Sequence, residues 1–154
     1  MTDRYGYRGY ITSRPFLGER APQHIQNLVI RDYAAKHGLD YLLSVTEYAM
    51  ESSHIMLQQV LSELRQINGV ICYSIFQLPT AGSSRVDAYR RIIGANAVLH
   101  TAVEGLVIRN WTDVDRVEDI WKTRQVLDHC ATSDMVLAAM GGATTESHAD
   151  DLKN

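Results

Sequence analysis

The chain has 154 residues, 45% of them hydrophobic and 21% charged, with a formal net charge of −3. This composition excludes a collagen-like, wholly disordered or disulfide-scaffold chain, and its length favours one domain. The mildly acidic balance argues against general nucleic-acid binding.

No apolar run approaches the roughly 18–20 residues of a membrane span, and the start, MTDRYGYRGY, lacks the apolar core of a secretory signal. Cys72 and Cys130 lie far apart, show no zinc spacing and read as reduced thiols. The expectation is a cytoplasmic protein without membrane or nucleic-acid contacts. Charge is uneven. Residues 1–109 carry 11 basic and 9 acidic side chains and residues 110–154 carry 4 and 9, so the acidic character sits at the C-terminal end. Of the 15 basic residues 12 are Arg, whose planar fork suits carboxylate or phosphate.

Residues 8–12 (RGYIT) read as a first strand. The loop SRPFLGERA leads to Pro22, whose missing N–H costs nothing in the first turn of a helix. That helix runs to about His37 and stops at Gly38, with Ile25, Leu28, Val29 and Tyr33 as its apolar face. Residues 40–46 form a second strand. Ser52 or Ser53 caps a second helix with the stripe Leu57, Val60, Leu61 and Leu64, ended by Asn68-Gly69. Residues 70–76 (VICYSIF) are almost continuously apolar, as a strand buried on both faces is.

After Pro79, Ser83 or Ser84 caps a third helix carrying Val86, Tyr89, Ile92 and Ile93, in which Asp87 and Arg91 are spaced to pair. Gly94 ends it. Residues 98–103 form a fourth strand, and Leu106 to Ile108 extends it or begins another. Thr112 opens an acidic-started helix with Val114, Val117, Ile120, Trp121 and Leu127 on its apolar face. A short helix over residues 133–140 and a polar tail over residues 141–154 close the chain.

Strands alternating with helices of these lengths imply right-handed crossovers and a parallel sheet covered on both faces. The expected architecture is α/β: a three-layer, flavodoxin-like sheet of four or five strands. Extra C-terminal helices from about residue 112 complete a single domain over residues 1–140. In such a sheet ligands bind outside the carboxyl ends of the strands. That rule selects Ser13, Arg14 and Arg20 after the first strand and Glu47 and Tyr48 after the second. It selects Ser74, Gln77 and Arg85 after the third and Glu104 after the fourth, with His54 at the start of a helix on the same side.

This set suits a polyhydroxylated or phosphorylated ligand. Arg14 and Arg20 would hold an anionic part, Ser13 and Gln77 would hydrogen-bond it, Glu47 or Glu104 would act as general base and Tyr48 or His54 as partner acid. Simpler roles stand beside these. Ser13 and Gln77 can bond turn backbone, and Glu47 can satisfy the orphan N–H groups of a helix start. No metal is assigned, because the histidines lack the H-E-x-x-H spacing. No cofactor is expected, because G-x-G-x-x-G, Walker and G-x-S-x-G motifs are missing from the sequence.

The segments GYITS, LSELRQINGVICYSIFQL and AVEG follow the plan of the catalytic domain of serine recombinases, the resolvase and invertase group, over roughly residues 8–108. The resemblance implies a resolvase-like fold. Its chemistry does not carry over. Arg14 stands at the nucleophilic serine position, Ser13 is offset by one residue and so points to the other face. Ile75-Phe76-Gln77-Leu78 replaces the family's L-D-R-L, and His54 stands where an Arg opens the second helix. Glu104 alone keeps its place in a T-E-G-like stretch. Without nucleophile and Arg clamp, recombinase activity is not expected.

A second and closer resemblance is to the bacterial sporadic carbohydrate cluster proteins. It covers about residues 5–122, through RGYITSRPFLGERAPQHIQNLVIRDYAAKHGLDYLLSVTEYAM, YSIFQLP, LHTAVEGL and RVEDIW. It implies a role in carbohydrate biosynthesis and supplies no catalytic residues. Two readings follow. One is a cofactor-independent enzyme on a sugar, sugar phosphate or sugar nucleotide, of isomerase, epimerase or lyase type. The other is a non-catalytic subunit that binds a partner biosynthetic enzyme through its acidic C-terminal part. Trp111 and Trp121 suit burial between two copies, in a homodimer, and equally packing within one chain against the sheet edge.

Overall fold

The computed structural model describes residues 3–16, 18–50 and 53–128. Ser52, Cys130, the helix expected over residues 133–140 and the polar tail lie outside the described residues. The chain forms β1 (Tyr7–Thr12), α1 (Gln23–Lys36), β2 (Tyr41–Glu47), α2 (Ile55–Ser62) and β3 (Gly69–Cys72). A 3₁₀ turn (Ile75–Gln77), α3 (Gly82–Gly94), β4 (Val98–Thr101), β5 (Leu106–Ile108) and α4 (Trp111–Asp128) follow. Two compact units divide at residues 118 and 119, within α4. The sheet, the site and the hollows described below all belong to the first.

The strands lie in the order β2-β1-β3-β4-β5. The first four are parallel, and β5 folds back antiparallel on β4. The fold is therefore α/β with a five-stranded, mostly parallel sheet, compatible with a three-layer flavodoxin-like arrangement. Period-two alternation divides the faces. Ile11 and Ile71 pack with Ile30, Tyr33 and Ala34 of α1 on one side. On the other, Arg8 of β1 pairs with Glu63 just past α2, at 3.0 Å. Parallel register brings Tyr10, Cys72 and Thr101 level, so the strand ends open together.

The structure corrects several sequence expectations. The buried face of α1 is Gln26, Ile30, Tyr33 and Ala34, while Ile25 and Leu28 face solvent. An amide side chain enters the core here because backbone groups satisfy it, and the apolar count alone rotates the helix the wrong way. β3 ends at Cys72, not Phe76, because Ser74 caps the 3₁₀ turn: its Oγ accepts from Phe76 N and Gln77 Oε1 accepts from Ser74 N, both at 3.3 Å. This is the S-x-x-Q capping box. β4 ends at Thr101, where a turn with Gly105 at a φ of 66° reverses the chain into β5. A left-handed residue suits glycine.

Helix starts differ too. α2 begins at Ile55 without a side-chain cap of its own and ends at Ser62, short of Asn68-Gly69. α3 begins at Gly82, behind Ala81, so neither Ser83 nor Ser84 is its cap. In α4 the capping oxygen is Asn110 Oδ1, 3.0 Å from Asp113 N, rather than Thr112. Asp87 pairs with Arg90, and Arg91 instead donates to Gln58. Leu127, expected on the apolar face of α4, is exposed.

Candidate functional site

The β1 and β2 ends meet over a buried carboxylate. Glu47 is the last residue of β2 and only 2% exposed. Its Oε2 accepts from Leu57 N at 3.0 Å and Tyr10 Oη at 3.3 Å, and its Oε1 accepts from Met56 N at 3.3 Å. It thus caps α2 from outside the helix, supplying the acceptors that His54 does not. Burial and the Glu47 charge push the Tyr10 phenol up, so it stays a neutral donor. Ser13 closes the same corner, donating from its N (2.9 Å) and Oγ (3.2 Å) to Glu47 O.

A second network crosses from α1 to β3. Gln26 Nε2 donates to Thr12 O and Ala21 O, each at 2.8 Å, and its Oε1 accepts from Thr12 N at 3.2 Å. Gln77 Nε2 also donates to Gln26 Oε1, at 2.6 Å. Ser13, Glu47 and Gln77 therefore shape the strand ends by bonding to neighbouring groups. Arg85 is fixed as well: it is 4% exposed, forks onto Glu118 at 2.7 and 2.8 Å and donates to Pro79 O and Thr80 O.

Three groups keep capacity. Glu104 lies in the turn after β4 and is partly exposed. Ser74 Oγ donates to its Oε1 at 2.5 Å and Ile75 N to its Oε2 at 3.1 Å, which fixes the carboxylate against the end of β3. Burial, reinforced by the Glu104 charge, pushes the Cys72 thiol up, so this buried sulfur is inert. Arg14 donates from Nη2 to His54 Nδ1 at 2.9 Å. A guanidinium can only donate, so Nδ1 accepts and the neutral ring carries its proton on Nε2. Burial first, and then Arg14, lowers the His54 pKa, against an opposing pull from Glu47.

The β1–α1 loop supplies the remaining feature. Phe16 and Glu19 form a small antiparallel bridge, and Phe16 meets the Tyr73 ring edge-on with centroids 5.9 Å apart. With Arg20 and Ala21 they line a hollow of about 350 Å³ on the strand-end side. This size falls within the ~300–1,000 Å³ of small-molecule sites.

Of the sequence-selected residues, Arg20 lines this hollow, and Glu104 is bonded to the residue after Tyr73. Arg14 and His54 sit together, close enough to Glu47 for its charge to act on His54, and Glu47 accepts from Tyr10. Tyr48 is 67% exposed, on the connection leaving β2. Glu47 and Glu104 follow strands three positions apart, roughly 14 Å at ~4.8 Å per spacing, so one small reacting centre does not touch both.

Gln26, Phe16, Glu19 and Tyr73 escaped sequence reasoning. Tyr73 and Phe16 gave a signal only as aromatic residues beside strand ends, and Gln26 gave none, since nothing local marks a buried amide. Among the described residues no cluster of three or more His, Cys, Asp or Glu is placed to hold a metal ion. Nor is any helix there long and apolar enough to cross a membrane. The chain matches no protein-family model, no curated protein and no solved structure.

Proposed function

We propose that the protein serves carbohydrate biosynthesis by binding a sugar, sugar phosphate or sugar nucleotide at the strand ends and moving a proton on it. The observation that carries this reading is the hollow of about 350 Å³ with Phe16 and Tyr73 as walls and Glu19 and Arg20 beside them. Aromatic faces pack against the C–H face of a sugar ring. A carboxylate and a guanidinium take its hydroxyls and any anionic group, the Arg in bidentate fashion.

Glu104 is the general base. It takes the proton from a carbon next to the sugar carbonyl, leaving an enediolate, and returns it to the former carbonyl carbon while the hydroxyl proton passes to the former carbonyl oxygen, giving isomerisation. Arg14 and His54 lie toward the β2 side of this centre. An extended ligand such as a sugar nucleotide reaches both, with its phosphates on Arg14 and the His54 Nε2–H as a further donor. Such a step needs no cofactor.

The test is a panel of sugars, sugar phosphates and sugar nucleotides incubated with the full chain and followed by NMR. Turnover of one member that Glu104→Gln abolishes, and that Arg20→Gln weakens chiefly in KM, supports the reading. A panel without turnover or line broadening contradicts it.

A second reading, a non-catalytic assembly subunit, is favoured by one observation: Leu43, Tyr48, Met50 and Ile55 are exposed along β2 and the connection after it. It predicts co-purification with a biosynthetic enzyme that Tyr48→Ser with Ile55→Ser abolishes and Glu104→Gln leaves intact.

A further inference from the structure

In a βαβ unit the helices run opposite to the strands, so the carboxyl ends of α2 and α3 come together at the amino end of the sheet, away from the strand-end crevice. There a hollow of about 510 Å³ is lined by three arginines, Arg4, Arg65 and Arg91, and by Leu61 and Leu64, both buried. No carboxylate lines it. Arg4 Nη1 donates to Asn96 O at 3.1 Å and Arg91 Nη1 to Gln58 Oε1 at 2.5 Å, both uncharged acceptors. Among the described residues none of the three forms an ion pair with Asp or Glu.

The two helix ends contribute about half a negative charge each, against three full positive charges. About two units of positive charge therefore face one concavity, and each guanidinium keeps most of its five donors. A flat basic patch would suit a polyanionic surface. A hollow within the ~300–1,000 Å³ of small-molecule sites suits a small anion that has an organic body.

We propose that this hollow is a second binding site, for a phosphorylated organic anion. Its phosphate oxygens lie on the forks of Arg4, Arg65 and Arg91, and its uncharged part lies along Gly94 and Ala95, which line the same hollow. The site is separate from the strand-end hollow and does not depend on the reading given to that one.

Titration of the full chain with ADP, pyrophosphate and adenosine tests it, read by calorimetry and by the arginine Nε–H NMR signals. ADP binds saturably and more tightly than pyrophosphate, adenosine alone does not bind, and added salt weakens the complex. Arg65→Gln and Arg91→Gln each weaken ADP about tenfold, as expected for a lost charge-assisted contact, with the far-UV spectrum unchanged. The Nε–H signals of Arg4, Arg65 and Arg91 shift with ADP to the same extent when sugar phosphate is also present, as expected of a separate hollow.

Three results overturn the proposal: neither anion binds saturably, binding survives both arginine substitutions, or the Nε–H signals of Arg4, Arg65 and Arg91 stay unmoved as ADP binds. Pyrophosphate binding as tightly as ADP removes the organic body from it.

Discussion

The two ends of the sheet handle polar side chains in opposite ways. At the carboxyl end Gln26, Gln77, Ser13 and Glu47 bond to backbone and to one another. At the amino end three arginines face a hollow with no carboxylate among its lining residues. The rule that ligands bind beyond strand ends locates the first region, but most polar residues found there build the mouth. A residue's place in a fold says where it is, and its hydrogen-bond partners say what it is free to do. Glu104, Arg20 and the Arg14–His54 pair are what the carboxyl end still offers a ligand.

Disrupting the carboxyl-end network costs the protein most. Gln26→Leu strands the Thr12 N–H and carbonyl, the Ala21 carbonyl and the Gln77 amide, and is expected to destabilise the protein by about 3–4 kcal/mol in urea unfolding. A loss under about 1 kcal/mol would break the contrast between the ends.

Acid sharpens it from the other side. His100 is buried, bonded through Nδ1 to the Tyr33 hydroxyl at 2.9 Å and packed against the Tyr7 ring. Burial, with His37 and Arg109 nearby, lowers its pKa from 6.5 to about 4. Between those two values the unfolded chain binds a proton that the native chain does not, so stability falls as pH drops through this window and levels off below it, for this group. The full effect is at most about 3 kcal/mol. Melting temperatures from pH 7 to pH 4 check the slope, and His100→Gln is expected to flatten it.

Glu47→Ala removes the outside cap of α2 and leaves the Tyr10 hydroxyl without its acceptor, an expected loss of about 2 kcal/mol. Glu47→Gln, whose amide oxygen still accepts, loses about half of that. If Glu47→Ala left stability intact while abolishing activity, the capping role would give way to a chemical one. The smallest effect belongs to the amino end. Arg65→Gln, an exposed residue, is expected to change stability by less than about 0.5 kcal/mol.

The fold was legible where periodicity carries it. The order of strands and helices, the parallel pairing of β1 to β4 and the location of the mouth follow from apolar runs and their punctuation. It was not legible where a side chain substitutes for a local signal. Glu47 caps a helix that begins eight residues later, and Gln26 takes a core position that composition gives to Ile25. Ser74 and Gln77 do announce the end of β3 through their spacing, but the apolar run VICYSIF masks them. At the site, Arg14, His54 and Glu104 were visible by position. The aromatic walls of the hollow were not, because the pairing of Phe16 with Tyr73 joins two loops that share no local pattern.

The most direct measurement is a ¹⁵N NMR titration of the full chain with the sugar phosphate or sugar nucleotide that binds best. Saturating shifts at residues 16, 19–21, 73–75 and 104, joined by 14 and 54 for a sugar nucleotide, are the predicted result. Saturation centred instead on residues 43 and 48–50, or on the arginine hollow at the amino end, with the Tyr73 region unmoved, would contradict a sugar site at the strand ends.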